Sequence, residues 1–364
     1  MQSPVERVLI YRLGSLGDTV VALPCFHQIA RAYPDAERCL LTNVPVHSKA
    51  PAAYAVLEGS GLVHGFLRYP IATRNLWELV DLQRQIRAFH PQVLVYLTPR
   101  RAAGEVFRDA AFFRLCGISR MIGLPLARES RIHRLDPVTG TYEPEAARLA
   151  RLLGSLGNID LNDRANWDLR LTVDEHKRAV EALEPVQERL LLACCVGTKV
   201  QAKDWGAENW RIVLDALAAE LQQYGLVLVG AGEEATVSES ASAAWKGRLV
   251  NLCGELSPRE SAAVLARARI FVGHDSGPMH LAAAVGTPCV AVFSARNRPR
   301  TWFPWGEQHE IVYHQTDCWG CDLETCIEEK KKCLTSIVPA EVLGVVHRVL
   351  ARIAAAHGLL RRDA

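Results

Sequence analysis

Charge of one sign is missing from this chain. Its 42 Lys and Arg residues are set against 40 Asp and Glu, a formal net charge of +2. Global charge therefore gives no argument for a nucleic-acid partner, and no base-reading motif supplies one. Long apolar runs are missing too, so no segment is expected to span a bilayer. The opening "MQSPVERVLIYRLG" has no leader pattern and moves directly into a short strand pattern. A cytoplasmic protein is expected. There is no short-period repeat and no low-complexity tract. The dinucleotide fingerprint G-x-G-x-x-G does not occur in the first glycine turn.

What is present begins with cysteine. There are eleven, of which Cys25, Cys39, Cys116, Cys194, Cys195, Cys253 and Cys289 are scattered. Most of these sit among apolar residues and are read as small core side chains. Cys318, Cys321, Cys326 and Cys333 crowd into "CWGCDLETCIEEKKKC". Without a secretion signal a disulfide framework is the weaker reading. The spacing C-x2-C-x4-C-x6-C admits a structural zinc site or an iron–sulfur cluster. Free or redox-active thiols are the stronger expectation. The "EEKKK" run inside it suggests an exposed helix.

With 364 residues and 49% hydrophobic content, the chain has room for about two domains. Short apolar runs alternate with amphipathic stretches. Strands are expected at 7–11, 38–42, 92–97, 189–197, 225–234, 248–254, 269–275 and 288–294. Helices are expected at 18–34, 207–225, 257–268 and 339–362. This alternation favours parallel, doubly wound α/β sheets. A polar stretch near 157–176 separates two such blocks. The expected division is 1–170, 171–338 and a closing helix over 339–364. In open parallel sheets ligands bind beyond the C-terminal ends of the strands, so the strand-to-helix turns come first.

The turn "HDSGPMH" (274–280) ends one strand and starts a helix. Gly277 allows close backbone approach, and Pro278 suits a first helical turn. Free N–H groups and the positive end of the helix dipole suit an anion, above all a phosphate. Simple capping by Asp275 or Ser276 is the plainer alternative. His280 is open to a packing role or a functional one. In "YRLGSLGDTVVALP" (11–24), Gly14 and Gly17 flank a tight turn and Asp18 opens a helix. Asp18 is placed to cap, or to act as a general base. In "CVGTKVQAKDWGAENW" (195–210), Thr198, Lys199 and Lys203 follow a buried strand. A lysine there would neutralise a diphosphate leaving group, or would simply be solvated. In "VGAGEEAT" (229–236), Gly230 permits close approach. Glu233 or Glu234 would bond a sugar hydroxyl there, or serve the next helix dipole.

Taken together and in this order, these segments resemble glycosyltransferase family nine, the ADP-heptose:lipopolysaccharide heptosyltransferases and their relatives. The likeness runs from about residue 7 to about residue 340, and "DSGPMHLAAA" is its most specific piece. It implies the GT-B fold, two Rossmann-like domains facing a central cleft. The N-terminal domain would take the acceptor and the C-terminal domain the nucleotide sugar. It implies inverting transfer without a catalytic metal, and no cofactor. By the resemblance, Asp18 matches the proposed base, and Lys203 the lysine on the donor phosphates. Asp275, Ser276, Gly277 and His280 match the donor-binding segment, in which threonine often stands at the Ser276 position. The loop "RNRPRTWFPWG" (296–306) is more basic and aromatic than the family's simplest pattern, which leaves the donor sugar and the acceptor open.

Residues 100–134 carry eight arginines against Glu105, Asp109 and Glu129. With such an enzyme, Arg100 and Arg101 and the stretch they open would suit an anionic glycan or glycolipid acceptor, or the face of the inner membrane. The alternative is a set of solvated helix faces. The function expected is transfer of a sugar, heptose from ADP-heptose, to a lipopolysaccharide core. Use of a different nucleotide sugar, or a non-catalytic nucleotide-sugar-binding or thiol-sensing role, stays open.

Overall fold

The computed structural model describes residues 4–44, 53–70, 75–187 and 189–360. The chain divides into two compact units, Met1–Arg170 and Leu171–Ala364.

The first unit is built on five parallel strands: β1 (Arg7–Tyr11), β2 (Glu37–Val44), β3 (Gly65–Pro70), β4 (Val93–Tyr96) and β5 (Arg120–Ile122). Their order across the sheet is β3-β2-β1-β4-β5. Apolar residues at nearly every position of β1 and β4 mark strands covered on both faces. Leu9, Leu41, Leu94, Tyr96 and Phe113 form one of its cores.

The second unit has six parallel strands: β6 (Leu190–Cys195), β7 (Tyr224–Leu228), β8 (Leu249–Asn251), β9 (Ile270–His274), β10 (Cys289–Phe293) and β11 (Glu310–Tyr313). Their order is β11-β10-β9-β6-β7-β8. Numbered from β6, this is the doubly wound order of a dinucleotide fold, without its glycine fingerprint. The closing helix Pro339–Leu360 sets Val342, Val345, Val346 and Val349 into this unit's core.

Each sheet has one point where the strand order reverses. In the first it lies between β1 and β4, in the second between β6 and β9. Loops leaving such neighbouring strands diverge and open a crevice at the sheet edge. The turns singled out above leave β1, β6 and β9, and Arg100 and Arg101 follow β4.

Three expected elements are corrected. The helix over 18–34 is two helices, Leu16–Val21 and Leu23–Ala32. Pro24 has no N–H for the Val20 carbonyl, so the chain breaks at Ala22 and restarts with proline in a first turn. The strand over 225–234 stops at Leu228, and Gly232–Glu234 forms a single 3-10 turn. The "EEKKK" run is turn, with positive φ at Lys330 and Lys331, and helix begins only at Lys332. The edge strands β3, β5 and β11 had no counterpart in the sequence reading.

Candidate functional site

In the first unit the turn after β1 is held from within. Asp18 Oδ2 accepts from the Ser15 backbone N–H at 2.7 Å and from the Ser15 hydroxyl at 2.9 Å. The capping role is therefore present, and it uses one carboxylate oxygen. Gly14 has φ +116°, and a Cβ there would lie 2.5 Å from Asp18 Cγ, so only glycine fits. Gly17 is buried in the following helix. Beneath the turn, the wholly buried Arg12 guanidinium donates to the Asp18 carbonyl and, at 2.8 Å, to the Leu97 carbonyl at the end of β4. The two loops of the switch point are thus tied by one side chain. Burial lowers the pKa of Arg12.

A buried ion pair supports the same edge. Arg148 donates to Glu145 through two bonds of 2.7 Å and to the Thr98 carbonyl at 2.8 Å. Burial alone would raise the Glu145 pKa. Arg148 and His133, the latter at 2.8 Å, outweigh that and bring it down to about 2.

Arg100 is exposed, whereas Arg101 turns inward. Arg101 bonds Glu105 at 3.1 Å and lies 3.4 Å from Asp109. Asp109 also accepts from the Tyr96 hydroxyl at 2.8 Å, and Tyr11 and Tyr69 share a hydrogen bond of 2.8 Å. These tyrosines, Asp109 and Arg101 form a polar group above the ends of β1, β3 and β4. Sequence reading missed it, because its members are spread from residue 11 to residue 109. The one usable signal was a tyrosine closing both β1 and β4.

In the second unit the loops after β6 and β9 meet. Lys203 ends a 3-10 turn, Gln201–Lys203, and its Nζ lies 2.7 Å from Asp275 Oδ2. The same Nζ is 3.5 Å from the Asp275 carbonyl. Asp275 is 3% exposed, so this pair is shielded from solvent. His280 Nε2 lies 3.9 Å from Asp275 Oδ1, and His280 is buried in the helix Gly277–Ala284. Ser276 occupies the N-cap position, but its hydroxyl does not cap. It reaches instead toward Cys195 Sγ, at 3.8 Å. Among the described residues no side-chain cap bond is made at this helix start, and Pro278 supplies no N–H of its own.

Thr198 and Lys199 are half-buried in the loop after β6. Glu233 is exposed, and Glu234 turns back instead. Its Oε2 accepts from the Ala231 N–H at 2.8 Å, and a Cβ at Gly230 would lie 2.4 Å from that oxygen. A side chain at 230 would thus push the Glu234 carboxylate out of its present place.

All seven scattered cysteines are buried. Of the cluster, Cys333 is buried, Cys318 and Cys326 are half-buried, and Cys321 is exposed. Among the described residues no group of three or more His, Cys, Asp or Glu side chains is arranged to hold a metal ion. The loop packs against the lysine turn instead. The Ala202 N–H donates to the Glu324 carbonyl at 3.0 Å, and the Cys326 N–H to Gln201 Oε1 at 2.9 Å.

Comparison with known proteins gives this arrangement its family. Residues 106–332 match the model of glycosyltransferase family 9 (heptosyltransferase). The chain belongs to that family. Lipopolysaccharide heptosyltransferase 3 of Escherichia coli K12 is 26% identical over 345 residues, 92% of this chain and 95% of the relative. A family 9 glycosyl transferase of Veillonella parvula superposes with a TM-score of 0.74 at 18% identity, covering 97% of this chain and 99% of the other. The E. coli heptosyltransferase WaaC, solved with ADP-2-deoxy-2-fluoro heptose, does so with a TM-score of 0.62 at 17% identity, covering 94% and 99%. The family-nine resemblance and the GT-B expectation both hold, and the protein is a glycosyltransferase of heptosyltransferase type. Among the described residues no helix is long and apolar enough to cross a membrane.

Proposed function

We propose that this enzyme transfers heptose from ADP-heptose to a hydroxyl of a lipopolysaccharide core, with inversion and without a catalytic metal. The observation that carries the reading is the switch point of the second sheet, where Lys203 pairs with Asp275 beside an uncapped helix start. An ammonium has three donors. Asp275 fixes the group in place and leaves donors for a diphosphate. Lysine and helix N–H groups then supply the positive field that a metal ion supplies elsewhere. The WaaC structure with an ADP-heptose analogue supports the donor, and the E. coli relative's lipopolysaccharide activity supports the acceptor.

In this reading residues 171–338 of the second unit hold the donor through Thr198, Lys199, Lys203, Gly230, Glu233 and the 275–280 turn. The first unit, 1–170, holds the acceptor through the Gly14–Gly17 turn, Arg100 and Arg101. Asp18 takes the proton of the acceptor hydroxyl through Oδ1, which makes no hydrogen bond to the described residues. The acceptor oxygen bonds the anomeric carbon from the face opposite the diphosphate. The bond from that carbon to the diphosphate oxygen breaks, and ADP leaves with the electron pair. The enzyme works in the cytoplasm, with its basic stretch toward the inner membrane's cytoplasmic face.

Calorimetry in EDTA with ADP-, GDP-, UDP- and TDP-sugars tests the donor. Selective binding of ADP-heptose, weakened in Lys203→Ala, is expected. Preference for another nucleotide would move the substrate, and no binding at all would overturn the donor site.

A further inference from the structure

His274 closes β9 one residue before Asp275, and nothing in the sequence had singled it out. It is wholly buried. Its Nε2 receives two hydrogens, from the Trp205 backbone N–H at 3.0 Å and from the Trp210 indole N–H at 3.0 Å. A ring nitrogen that accepts is unprotonated, so the ring is neutral and its proton sits on Nδ1. The Gly197 backbone favours the protonated ring, yet Nδ1 makes no hydrogen bond of normal geometry among the described residues. Burial holds the pKa down to about 4, against the opposing pull of Asp204 and Asp275. The ring also meets Trp210 edge-on, centroids 5.0 Å apart and planes at 82°.

These contacts fall on one short segment. Trp205 stands two residues after Lys203. Residue 274 takes the backbone of the segment, and residue 275 takes the lysine ammonium. Adjacent residues at one strand end therefore hold the loop at two points. Lysine has a long, flexible stem, so an anchored backbone sets where its charge is found.

We propose that His274 is a positioning residue, a neutral acceptor that fixes the 203–205 segment and so presents the Lys203 ammonium to the donor diphosphate. This rests on the donor-site reading above. It assigns a part in the reaction to a residue outside the 275–280 segment that the resemblance marks as donor-binding. It also explains why a buried histidine is kept beside a buried ion pair. A protonated ring has no acceptor at Nε2, and its charge would oppose Lys203.

The test is ADP binding by calorimetry, with adenosine as a probe that lacks the phosphates. The variants are His274→Phe, His274→Gln, Lys203→Ala and the double variant His274→Phe/Lys203→Ala. His274→Phe keeps a ring and loses the acceptor, and His274→Gln keeps an acceptor. The expectation is that His274→Phe weakens ADP about tenfold, as loss of one well-placed contact does. It should leave adenosine unchanged and add nothing in the Lys203→Ala background. His274→Gln should recover most of the loss.

A loss shared by adenosine, or repeated in full without Lys203, would make His274 merely structural and overturn the proposal. Wild-type ADP affinity in Lys203→Ala would sink the donor-site reading itself, and is seen without touching His274. Should His274→Phe not fold, nitrogen-15 spectra of the wild type decide the matter. A ring protonated at Nδ1 alone from pH 5 to pH 8 is expected, and a ring carrying its proton on Nε2 overturns the proposal.

Discussion

The two sheet edges solve one problem with opposite chemistry. The first unit steadies its turns with buried charge, from Arg12, Arg148 and Glu145. The second steadies its lysine loop with neutral groups, from His274, Trp205 and Trp210. The buried charges of the first unit bond backbone carbonyls and each other, so each is compensated where it lies. In the second unit the charge that the proposed function puts to work is Lys203 itself, and a further buried cation would compete with it. The comparison teaches that each support leaves undisturbed the group that the proposed function assigns to its unit, a carboxylate in one and an ammonium in the other.

Five experiments would break or sharpen that contrast. The largest effect is expected from Asp18→Asn, with kcat down by roughly two to four powers of ten and ADP-heptose affinity kept. A matching loss of donor affinity would end the separation of roles. Lys203→Ala should cost about two to three powers of ten in kcat and should weaken donor binding as well. Steady-state kinetics with calorimetry reads both.

Glu145→Gln should lower stability by about 3–5 kcal/mol, because it leaves Arg148 buried without its partner. The Glu145 pKa lies below its ordinary 4.5, at about 2. Its contribution is therefore complete above 4.5 and is lost as pH falls toward 2. Denaturant titrations across that window should be steep for the wild type and flat for the variant. His274, lowered from 6.5 to about 4, has the same sign in a higher window. Its contribution is complete above 6.5 and falls away toward pH 4. Hydrogen exchange on acidification should thus loosen the β6–β9 edge before the β1–β4 edge, and the reverse order would refute the contrast. The smallest effect belongs to Ser276→Ala, whose hydroxyl caps nothing, with stability changed by less than about 0.5 kcal/mol.

The parts legible in the sequence were those that speak locally. Strands covered on both faces, such as β1, β4, β6 and β9, show as unbroken apolar runs. The turns after β1 and β9 show as glycine, aspartate and proline at short spacing. The strands left unread, β3, β5 and β11, lie at sheet edges and are largely half-exposed, so their apolar signal is weak. The candidate site divided along the same line. Asp18 and Ser15 are three residues apart, but Lys203 meets Asp275 across 72 residues. Trp205 meets His274 across 69. The lysine was marked as a candidate from its loop alone, but its pairing with Asp275 was not, and the histidine was not marked at all.

The burial of the cysteines bears on how the protein ages. Burial pushes the thiols of Cys25 and Cys39 up to about 12 and those of Cys116 and Cys253 up to about 11. Thiolate is the reactive form, so these side chains are inert in air. Oxidative damage and alkylating labels will gather first at the exposed Cys321. Its loop hydrogen-bonds the turn that carries Lys203. A preparation stored without reductant will thus wear beside the Lys203 turn, while its folded core stays intact.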